Sequence, residues 1–317
     1  MAIGIVQEET VDDAMRSVLT RLLAEGVEVS SKRGHNVEIQ GAHLVITNPL
    51  SRLSRSLARG KWFSCLGELC WYLAGSESLS FIGHYIREYE KEAEGDRVHG
   101  AYGPRLRGER DQLRHVIDRL REGPGTRQAV VQIFSAEDLR DGCKSPPCTC
   151  VLQFMVREGA VTLVVYMRSN DAILGLPHDA FAFTMLQELV ARSVGAGVGD
   201  YHHIAGSMHL YDAGRQQAKH FLDEGWHSTD AVMPPMPEGD PWSSIELLLK
   251  CEEAVRLRRD YSDSMQRLDP YWADLVRMLA FHRAKKESDV DQMRLLVNEM
   301  HCESYTRFLA RFMRETS

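Results

Sequence analysis

The sequence predicts an α+β protein that ends in a helical extension. Short apolar runs with strand-like alternation fill the centre of the chain, and apolar residues at helical spacing occupy both flanks. A proline-rich stretch over residues 233–241 separates this mixed region from a charged pattern that is helical throughout. We therefore expect one main domain over residues 1–235 and a helical C-terminal extension over residues 240–317.

The N-terminal elements follow from the spacing of apolar residues. Residues 11–25 form an amphipathic pattern, with the apolar side chains on one helical face. Residues 37–47 alternate like a strand that is broken at Gly41. Residues 62–73 are apolar on every side, as in a buried helix, and Gly75 ends the pattern.

The central and C-terminal elements follow from the same patterns. Short β-branched runs bounded by turn residues indicate strands, and a return to helical spacing indicates helices. The central elements are strands over 129–134, 150–156 and 161–167, a hairpin-like turn over 157–160, a helix over 180–194, a strand over 202–210 and a helix over 213–222. In the helical region over 243–314, the candidate buried residues are Leu247, Leu248, Val255, Leu275 and Leu279.

Composition and charge narrow the possible function classes. The formal net charge is -7, which argues against a nucleic-acid-binding surface because phosphate backbones recruit basic faces. No stretch approaches the roughly 18–20 apolar residues that span a bilayer, and acidic residues follow the N-terminus too closely for a signal peptide. We therefore expect a cytoplasmic protein without a nucleic-acid or membrane partner. The seven cysteines follow no disulfide framework and are interpreted as reduced thiols.

The first candidate site is Pro146-Pro147-Cys148-Thr149-Cys150, between two predicted strands. The prolines fix the backbone and aim the side chain of Cys148, which can act as a nucleophile if cationic neighbours lower its pKa. Two other interpretations are open: a buried structural thiol, or a metal site that includes Cys143. Metal sites usually need a fourth cysteine or histidine at regular spacing, and no clear partner is present.

The second candidate site runs from Tyr166 to Asp179, between a predicted strand and a predicted helix. Arg168 and Ser169 at the strand end can offer a guanidinium and a hydroxyl to a phosphate. Asp171 and Asp179 are then acceptors close to the ligand. A polar strand-to-helix turn explains the same residues, with Asp179 favoured by the helix dipole.

The third candidate site is Gly206-Ser207-Met208-His209-Leu210-Tyr211, at the end of a predicted strand. Because side chains alternate along a strand, His209 and Tyr211 share one face. They can contact a sugar hydroxyl, or they can be core residues whose polar tips are satisfied.

Together and in this order, these segments resemble the thymidylate synthase family. The resemblance extends over about residues 30 to 225 and rests on several independent motifs, which makes it specific; the helical extension lies outside it. The matching segments are Gly67-Glu68-Leu69-Cys70-Trp71-Tyr72-Leu73-Ala74-Gly75, Gly100-Ala101-Tyr102-Gly103, Thr126-Arg127, Pro147-Cys148, Gln153-Phe154, Arg168-Ser169-Asn170-Asp171-Ala172-Ile173-Leu174-Gly175-Leu176-Pro177 and Gly206 to Tyr211.

The resemblance implies a thymidylate synthase-like mixed sheet packed with helices, and a homodimer that shares arginines across its interface. It makes Cys148 the nucleophile that attacks C6 of a pyrimidine and Glu68 a proton relay. The implied catalytic residues are Cys148, Glu68, Asp179 and Tyr102. The implied nucleotide-binding residues are Arg33, Arg168, Ser169 and the partner-donated Arg127 for the 5′-phosphate, with His209 and Tyr211 for the sugar; Asp171 and Gly175 are implied for folate.

One departure from the family pattern concerns the base. Asp179 stands where thymidylate synthases have Asn, whose amide can donate to O4 and accept from N3–H of uracil. An aspartate instead accepts from the 4-amino group of cytosine, and a protonated aspartate or a protonated N3 can complete the pair. Asp179, the run from Met167 to Asp171 and the pair Cys148-Thr149 are similar to the deoxycytidylate hydroxymethylase branch.

Two other departures concern water and phosphate. The region of the folate-stacking tryptophans has only Tyr85 and Tyr89 as aromatic residues, and Gln128 replaces a second arginine. Fewer large aromatics, and a helical tail in place of the family C-terminus, favour a site that admits water. Without this arginine, the set of residues expected to bind the phosphate differs from that of the family.

The resulting hypothesis is one-carbon transfer from 5,10-methylenetetrahydrofolate to C5 of a cytidine monophosphate, with water completing a 5-hydroxymethyl group. Ser169 is similar to the deoxy-preferring pattern and favours dCMP slightly over CMP. Two alternatives are a diverged thymidylate synthase that methylates dUMP and an inactive nucleotide-binding scaffold. The presence of a nucleophile, a phosphate arginine and a base-reading acid speaks against the scaffold.

Overall fold

One mixed β-sheet organises the chain. The computed structural model describes residues 5–31, 33–56, 61–227, 229 and 232–314. In this part of the chain the strands are β1 Val6–Glu8, β2 Val27–Ser31, β3 Gly34–Ile46, β4 Val130–Gln132, β5 Thr149–Arg157, β6 Ala160–Met167, β7 Asn170–Asp171 and β8 Gly197–Tyr211. Their order is β1-β3-β8-β6-β5-β4, with β2 beside β3 and β7 beside β8. Strand β8 is antiparallel to β3 and parallel to β6.

Helices surround the sheet and continue into the C-terminal region. Those of the described main domain are α1 Val11–Glu25, α2 Trp62–Leu73, α3 Leu79–Ile82, α4 Gly103–Arg107, α5 Gln112–Glu122, α6 Leu176–Val194 and α7 Arg215–Asp223. Those of the extension are α8 Trp242–Arg256, α9 Ser262–Met265, α10 Pro270–Glu287, α11 Val290–Asn298 and α12 Glu303–Arg314. The predicted α+β class with a mixed sheet is confirmed.

The two faces of the sheet differ in burial. Along β8, Met208 and Leu210 are fully buried, whereas the intervening His209 is half-buried. Helices α1 and α6 pack against the buried face. On the opposite face, Tyr166 and Val130 remain 43% and 42% exposed. The chain by itself therefore covers one side of its sheet and leaves apolar side chains accessible on the other.

Helix α2 lies between the main domain and the C-terminal extension. The ring of Trp62 stacks on Phe308 of α12 with centroids 4.0 Å apart, and Phe63 stacks on Phe281 of α10 at 5.8 Å. Gly67 touches the ring of Tyr85 so closely that a Cβ there would lie 2.2 Å from its Cγ. The extension and the main domain thus share one hydrophobic core across α2.

Several predicted elements are confirmed. The helices over 11–25 and 62–73 have the predicted bounds. The turn over 157–160 is a hairpin loop with positive φ at Glu158 and Gly159, as a two-residue loop of this type requires. The break in alternation at Gly41 is also present: Val37 and Ile39 are buried before it, and Ala42 and Leu44 after it. β3 itself continues through Gly41, which adopts a φ of 66°.

The extension is helical as predicted, with short connections between its helices. All five leucine and valine positions that were candidates for burial are buried. Among the described helices, none combines the length and apolarity that crossing a bilayer requires.

Candidate active site

Cys148 precedes β5, and Arg168 holds the loop that carries it. The guanidinium of Arg168 donates from Nε to the carbonyl of Pro147 and from Nη2 to that of Pro146, both at 2.9 Å. The backbone N–H of Arg168 donates to the carbonyl of Cys148 at 2.8 Å. Arg168 follows β6, the antiparallel neighbour of β5, so strand pairing brings the two motifs together. The segment from Tyr166 to Asp179 thereby positions the loop that carries Cys148.

The thiol of Cys148 is surrounded by groups of both signs. Arg168 Nη2 lies 3.7 Å from Sγ and Ser169 Oγ lies 3.8 Å from it. Burial nevertheless raises the pKa of the Cys148 thiol above its usual value, and Asp179 raises it further; Arg168, Ser169 and Arg33 act in the opposite direction. The cationic neighbours lower the pKa of the thiol as expected, but desolvation outweighs them, so the net pKa is raised.

A cavity of about 230 Å³ is lined in part by Arg168 and Ser169, the two residues that contact this thiol. Five of its lining residues are among the predicted nucleotide-binding residues: Arg33, Arg168, Ser169, His209 and Tyr211. The rings of His209 and Tyr211 meet edge to face with centroids 4.9 Å apart. The fold thus gathers two cations, a hydroxyl and two ring side chains in one pocket, a combination that suits an anionic, hydroxylated ligand.

Arg33 is ion-paired to Glu92. Its Nη2 lies 2.6 Å from Oε1 of Glu92, and Oε2 of the same glutamate accepts a hydrogen bond from Ser145 Oγ at 2.6 Å. Ser145 stands three residues before Cys148. Glu92 therefore connects Arg33 to the loop that carries Cys148.

Asp179 lies in the first turn of α6, where the dipole favours an acid. Burial raises the pKa of its carboxyl well above the usual 3.8, and the charge of Glu68 adds to that effect. The amide of Asn170 donates to Asp179 Oδ2 at 2.7 Å, which opposes the rise. Asn170 Oδ1 is buried, and no hydrogen-bond partner for it lies in the described part of the chain.

Glu68 belongs to a buried polar cluster on α2. The hydroxyl of Tyr89 donates to Glu68 Oε1 at 2.6 Å. Burial, followed by the charge of Glu68, raises the pKa of both Tyr89 and Tyr72 well above its usual value. Asp179 also acts on Tyr72, so the two acids share one enclosed region.

Tyr102 supports β5, the strand that follows Cys148. The backbone N–H of Thr149 donates to its hydroxyl at 3.2 Å, and Thr149 Oγ1 lies 3.0 Å from the same oxygen. Gly100, in the same turn, approaches the Cys148 loop so closely that a Cβ would lie 2.3 Å from the carbonyl oxygen of Ser145. The turn and the loop are therefore packed backbone against backbone.

The residues expected to bind folate occupy the turn before α6. Asp171 Oδ1 accepts the backbone N–H groups of Ile173 and Leu174 at 2.9 and 2.7 Å. Gly175 is the residue before the first turn of α6 and lies against Asn170. Leu174 is 50% exposed. An acid with one oxygen engaged by the backbone, next to an exposed apolar side chain, fits an amphipathic heterocycle such as a pterin.

Arg127 does not line the pocket of its own chain. It is exposed and lies three residues before Val130, where β4, the last strand in the sheet order, begins. Its carbonyl accepts a hydrogen bond from Gln153 Nε2 at 2.9 Å. This position leaves the guanidinium available to another molecule. In the described residues, no three acidic, histidine or cysteine side chains are placed to hold a metal ion.

Sequence reasoning missed several residues of the site. Asn36, Glu38 and Ser207 line the pocket without having been assigned. Strand alternation indicates that Asn36 and Glu38 share a face, but which strand lies beside them depends on contacts far apart in the chain. Glu92 had no local signal, since it belongs to an ordinary acidic run.

The fold and the site define a class: a mixed-sheet α+β protein with a cysteine thiol next to an arginine-lined pocket. A family model described as thymidylate synthase matches residues 17–231, about two thirds of the chain. The protein therefore belongs to the thymidylate synthase family and is a transferase that acts on pyrimidine nucleotides. This family uses methylenetetrahydrofolate as co-substrate.

Proposed function

We propose that this enzyme transfers a one-carbon unit from 5,10-methylenetetrahydrofolate to C5 of a cytidine monophosphate and adds water to give the 5-hydroxymethyl product. Tetrahydrofolate is released without oxidation, and dCMP is slightly preferred to CMP. The observation that carries the proposal is the enclosed carboxyl of Asp179, which shares the site with Cys148 and has a raised pKa.

A neutral carboxyl is complementary to cytosine. Its O–H donates to N3, which carries no hydrogen in cytosine, and its carbonyl oxygen accepts from the 4-amino group. Uracil offers the opposite pattern, since its N3–H is a donor and O4 is an acceptor. Asn170 donates to Oδ2, so the proton that burial and the Glu68 charge favour stays on Oδ1. With Oδ2 facing position 4 of the base, the carboxyl accepts from an amino group and cannot donate to O4.

Cys148 starts the reaction by adding its thiolate to C6. The addition makes C5 enamine-like, so that C5 attacks the methylene of the folate. Loss of the C5 proton and departure of the folate leave an exocyclic methylene on the ring. Water then adds to this carbon as the sulfur–C6 bond breaks, which returns the electrons to Cys148 and restores the aromatic ring.

The cluster around Glu68 supports the choice of water over hydride. Glu68 and the Tyr89 hydroxyl form a polar pair in an enclosed region, and such a pair can hold and deprotonate a water molecule. Tyr85 is turned away from this cluster, because its hydroxyl donates to Glu252 of α8 at 2.8 Å. The extension therefore occupies one of the two aromatic residues that were candidates for stacking on folate.

Phosphate binding in this proposal uses two protomers. Arg33, Arg168 and Ser169 come from the chain that holds the nucleotide, and Arg127 comes from a second copy. The uncovered face of the sheet, with exposed Tyr166 and Val130, supplies an apolar surface on which two copies can pack.

Release of tritium from C5 tests the proposal. The purified enzyme with methylenetetrahydrofolate is expected to release tritium from C5-labelled dCMP and CMP, with dCMP faster, and to act poorly on dUMP. Release from dUMP but not from either cytidylate would reject the proposal and favour thymidylate synthesis.

A further inference from the structure

The nucleotide pocket contains a carboxylate, Glu38, in addition to its arginines. We propose that Glu38 accepts a hydrogen bond from the 3′-hydroxyl of the substrate sugar and thereby restricts the enzyme to nucleotides whose 3′-hydroxyl is free. The proposal rests on nucleoside monophosphate binding in this pocket, which is part of the proposed function, and adds a specificity-determining residue to it.

Strand pairing places Glu38 beside the residues assigned to the sugar. In the antiparallel pair of β3 and β8, Glu38 lies directly opposite His209, and Asn36 lies opposite Tyr211. Directly opposed residues on one face have Cβ atoms about 4.5–5.5 Å apart. The buried residues Val37 and Leu210 point to the other side of the sheet. Any hydroxyl held by His209 is therefore within reach of Glu38.

Two neighbours hold the Glu38 carboxylate in position. Ser207 Oγ donates to Oε2 at 2.5 Å, and Gln40 Nε2 donates to Oε1 at 3.0 Å. Each carboxylate oxygen can accept more than one hydrogen bond, so both retain capacity for a ligand hydroxyl. The side chain is already oriented before the nucleotide arrives, which lowers the entropic cost of binding.

The charge of Glu38 determines what the pocket rejects. Arg33 and Arg168 attract the 5′-phosphate, whereas a carboxylate opposite His209 attracts a hydroxyl and repels a second phosphate. A 3′-phosphorylated nucleotide, or a nucleotide inside a polynucleotide, would place a negative charge next to Glu38. The pocket thus selects free nucleoside 5′-monophosphates.

Binding of three probes tests this role: dCMP, 2′,3′-dideoxy-CMP and deoxycytidine 3′,5′-bisphosphate, each measured by calorimetry without folate. The unmodified enzyme is expected to bind dCMP roughly tenfold or more tightly than the dideoxy probe, since a charged hydrogen bond is lost. In Glu38→Ala the affinity for dCMP should exceed that for the dideoxy probe by no more than about threefold. The bisphosphate should bind to this variant more tightly than to the unmodified enzyme. Glu38→Gln retains the shape of the side chain and one acceptor. It should bind the bisphosphate more tightly than the unmodified enzyme does, while keeping part of the preference for dCMP over the dideoxy probe.

The control is Glu28→Gln, which removes a negative charge from β2 outside the pocket lining. It should leave both the preference for dCMP over the dideoxy probe and the affinity for the bisphosphate unchanged. Unchanged ratios in both Glu38 variants would overturn the proposal. Failure of hydroxymethylation is a separate result, because it would appear as a missing product while the binding ratios still report on Glu38.

Discussion

The side-chain amide of Asn170 donates a hydrogen bond to Oδ2 of Asp179 across 2.7 Å. Asn170 is buried, and Gly175 lies so close that a Cβ there would be 2.9 Å from Nδ2, so the amide has little room to turn away. Oδ2 is thereby fixed on Asn170 and can still accept from a 4-amino group, while Oδ1 is left to carry the proton. In the proposed function, the two residues together present the acid to the base.

Replacing Asp179 with Asn should change the preferred base. We expect Asp179→Asn to lower kcat/KM for dCMP by about tenfold to a hundredfold, because two hydrogen bonds to the base are disturbed and each contributes about 0.5–1.5 kcal/mol. Activity on dUMP should rise relative to dCMP, since an amide can pair with O4 and N3–H. Tritium release from the two nucleotides in competition measures the ratio.

The matched control for this switch is Asp171→Asn, a similar change eight residues earlier in the chain. It should reduce turnover by weakening folate binding, without altering the ratio of the activity on dCMP to the activity on dUMP. An Asp179→Asn enzyme that retained the original cytosine preference would remove the main argument for the substrate.

The raised pKa of Asp179 also predicts a pH dependence of stability. The folded protein binds this proton more tightly than the unfolded chain does, since burial disfavours the carboxylate. This contribution is fully present below the usual value of 3.8 and is lost as pH rises through the folded-state pKa. Asp179→Asn cannot ionise, so its unfolding temperature should gain on that of the unmodified protein as pH rises from 3.8 to the folded-state pKa of Asp179. Parallel unfolding curves for the two proteins over this range would contradict the assignment.

Arg168 should control the reactivity of the nucleophile as well as phosphate binding. Its guanidinium lies 3.7 Å from Cys148 Sγ and lowers the pKa of the thiol, against the larger effect of burial. Arg168→Ala should therefore slow alkylation of Cys148 by iodoacetamide several-fold at neutral pH and shift the pH dependence of the alkylation rate to higher pH. The rate of Arg168→Lys should lie between those of the unmodified protein and Arg168→Ala. Subtracting the alkylation rate of Cys148→Ser removes the contribution of the other cysteines. A profile that did not move would show that Arg168 has no influence on the thiol.

Glu92 should weaken nucleotide binding by pairing with Arg33. The side chain of Arg33 is 64% exposed, and exposed ion pairs contribute about 0.2–1 kcal/mol. Glu92→Gln releases Arg33 while its amide oxygen can still accept from Ser145, so KM for dCMP should fall about two- to fivefold with little change in kcat. Glu90→Gln, an exposed neighbour, is the control. A higher KM in Glu92→Gln would mean that the pair helps to build the phosphate site.

Local patterns predicted the elements whose residues carry a clear period. Helices α1 and α2 have the predicted bounds, and the hairpin between β5 and β6 follows from its loop residues. Strand β2 escaped prediction because its five residues are mostly exposed and its pairing partner is set by the turn at Gly34. The pairing of β3 with β8 connects residues that are distant in the chain, so the proximity of Glu38 to His209 had no local signal.

The candidate site was predictable in its parts but not in its electrostatics. Motif order indicated Cys148, Arg168 and Ser169 together, and the structure brings them within 4 Å of one another. The pKa of the thiol depends on how deeply packing encloses it, which no spacing of residues reveals. In the same way, buried leucines in the extension were predictable, whereas the stacking of Phe308 on Trp62 was not.

Product identity tests the central claim most directly. The enzyme is incubated with methylenetetrahydrofolate and either dCMP, CMP or dUMP, and the nucleotide product is weighed by mass spectrometry while dihydrofolate absorbance is followed. The account predicts a dCMP product heavier by one CH2O unit, a smaller amount of the CMP product and no dihydrofolate. A methylated product from dUMP, with dihydrofolate formed in equal amount, would contradict it.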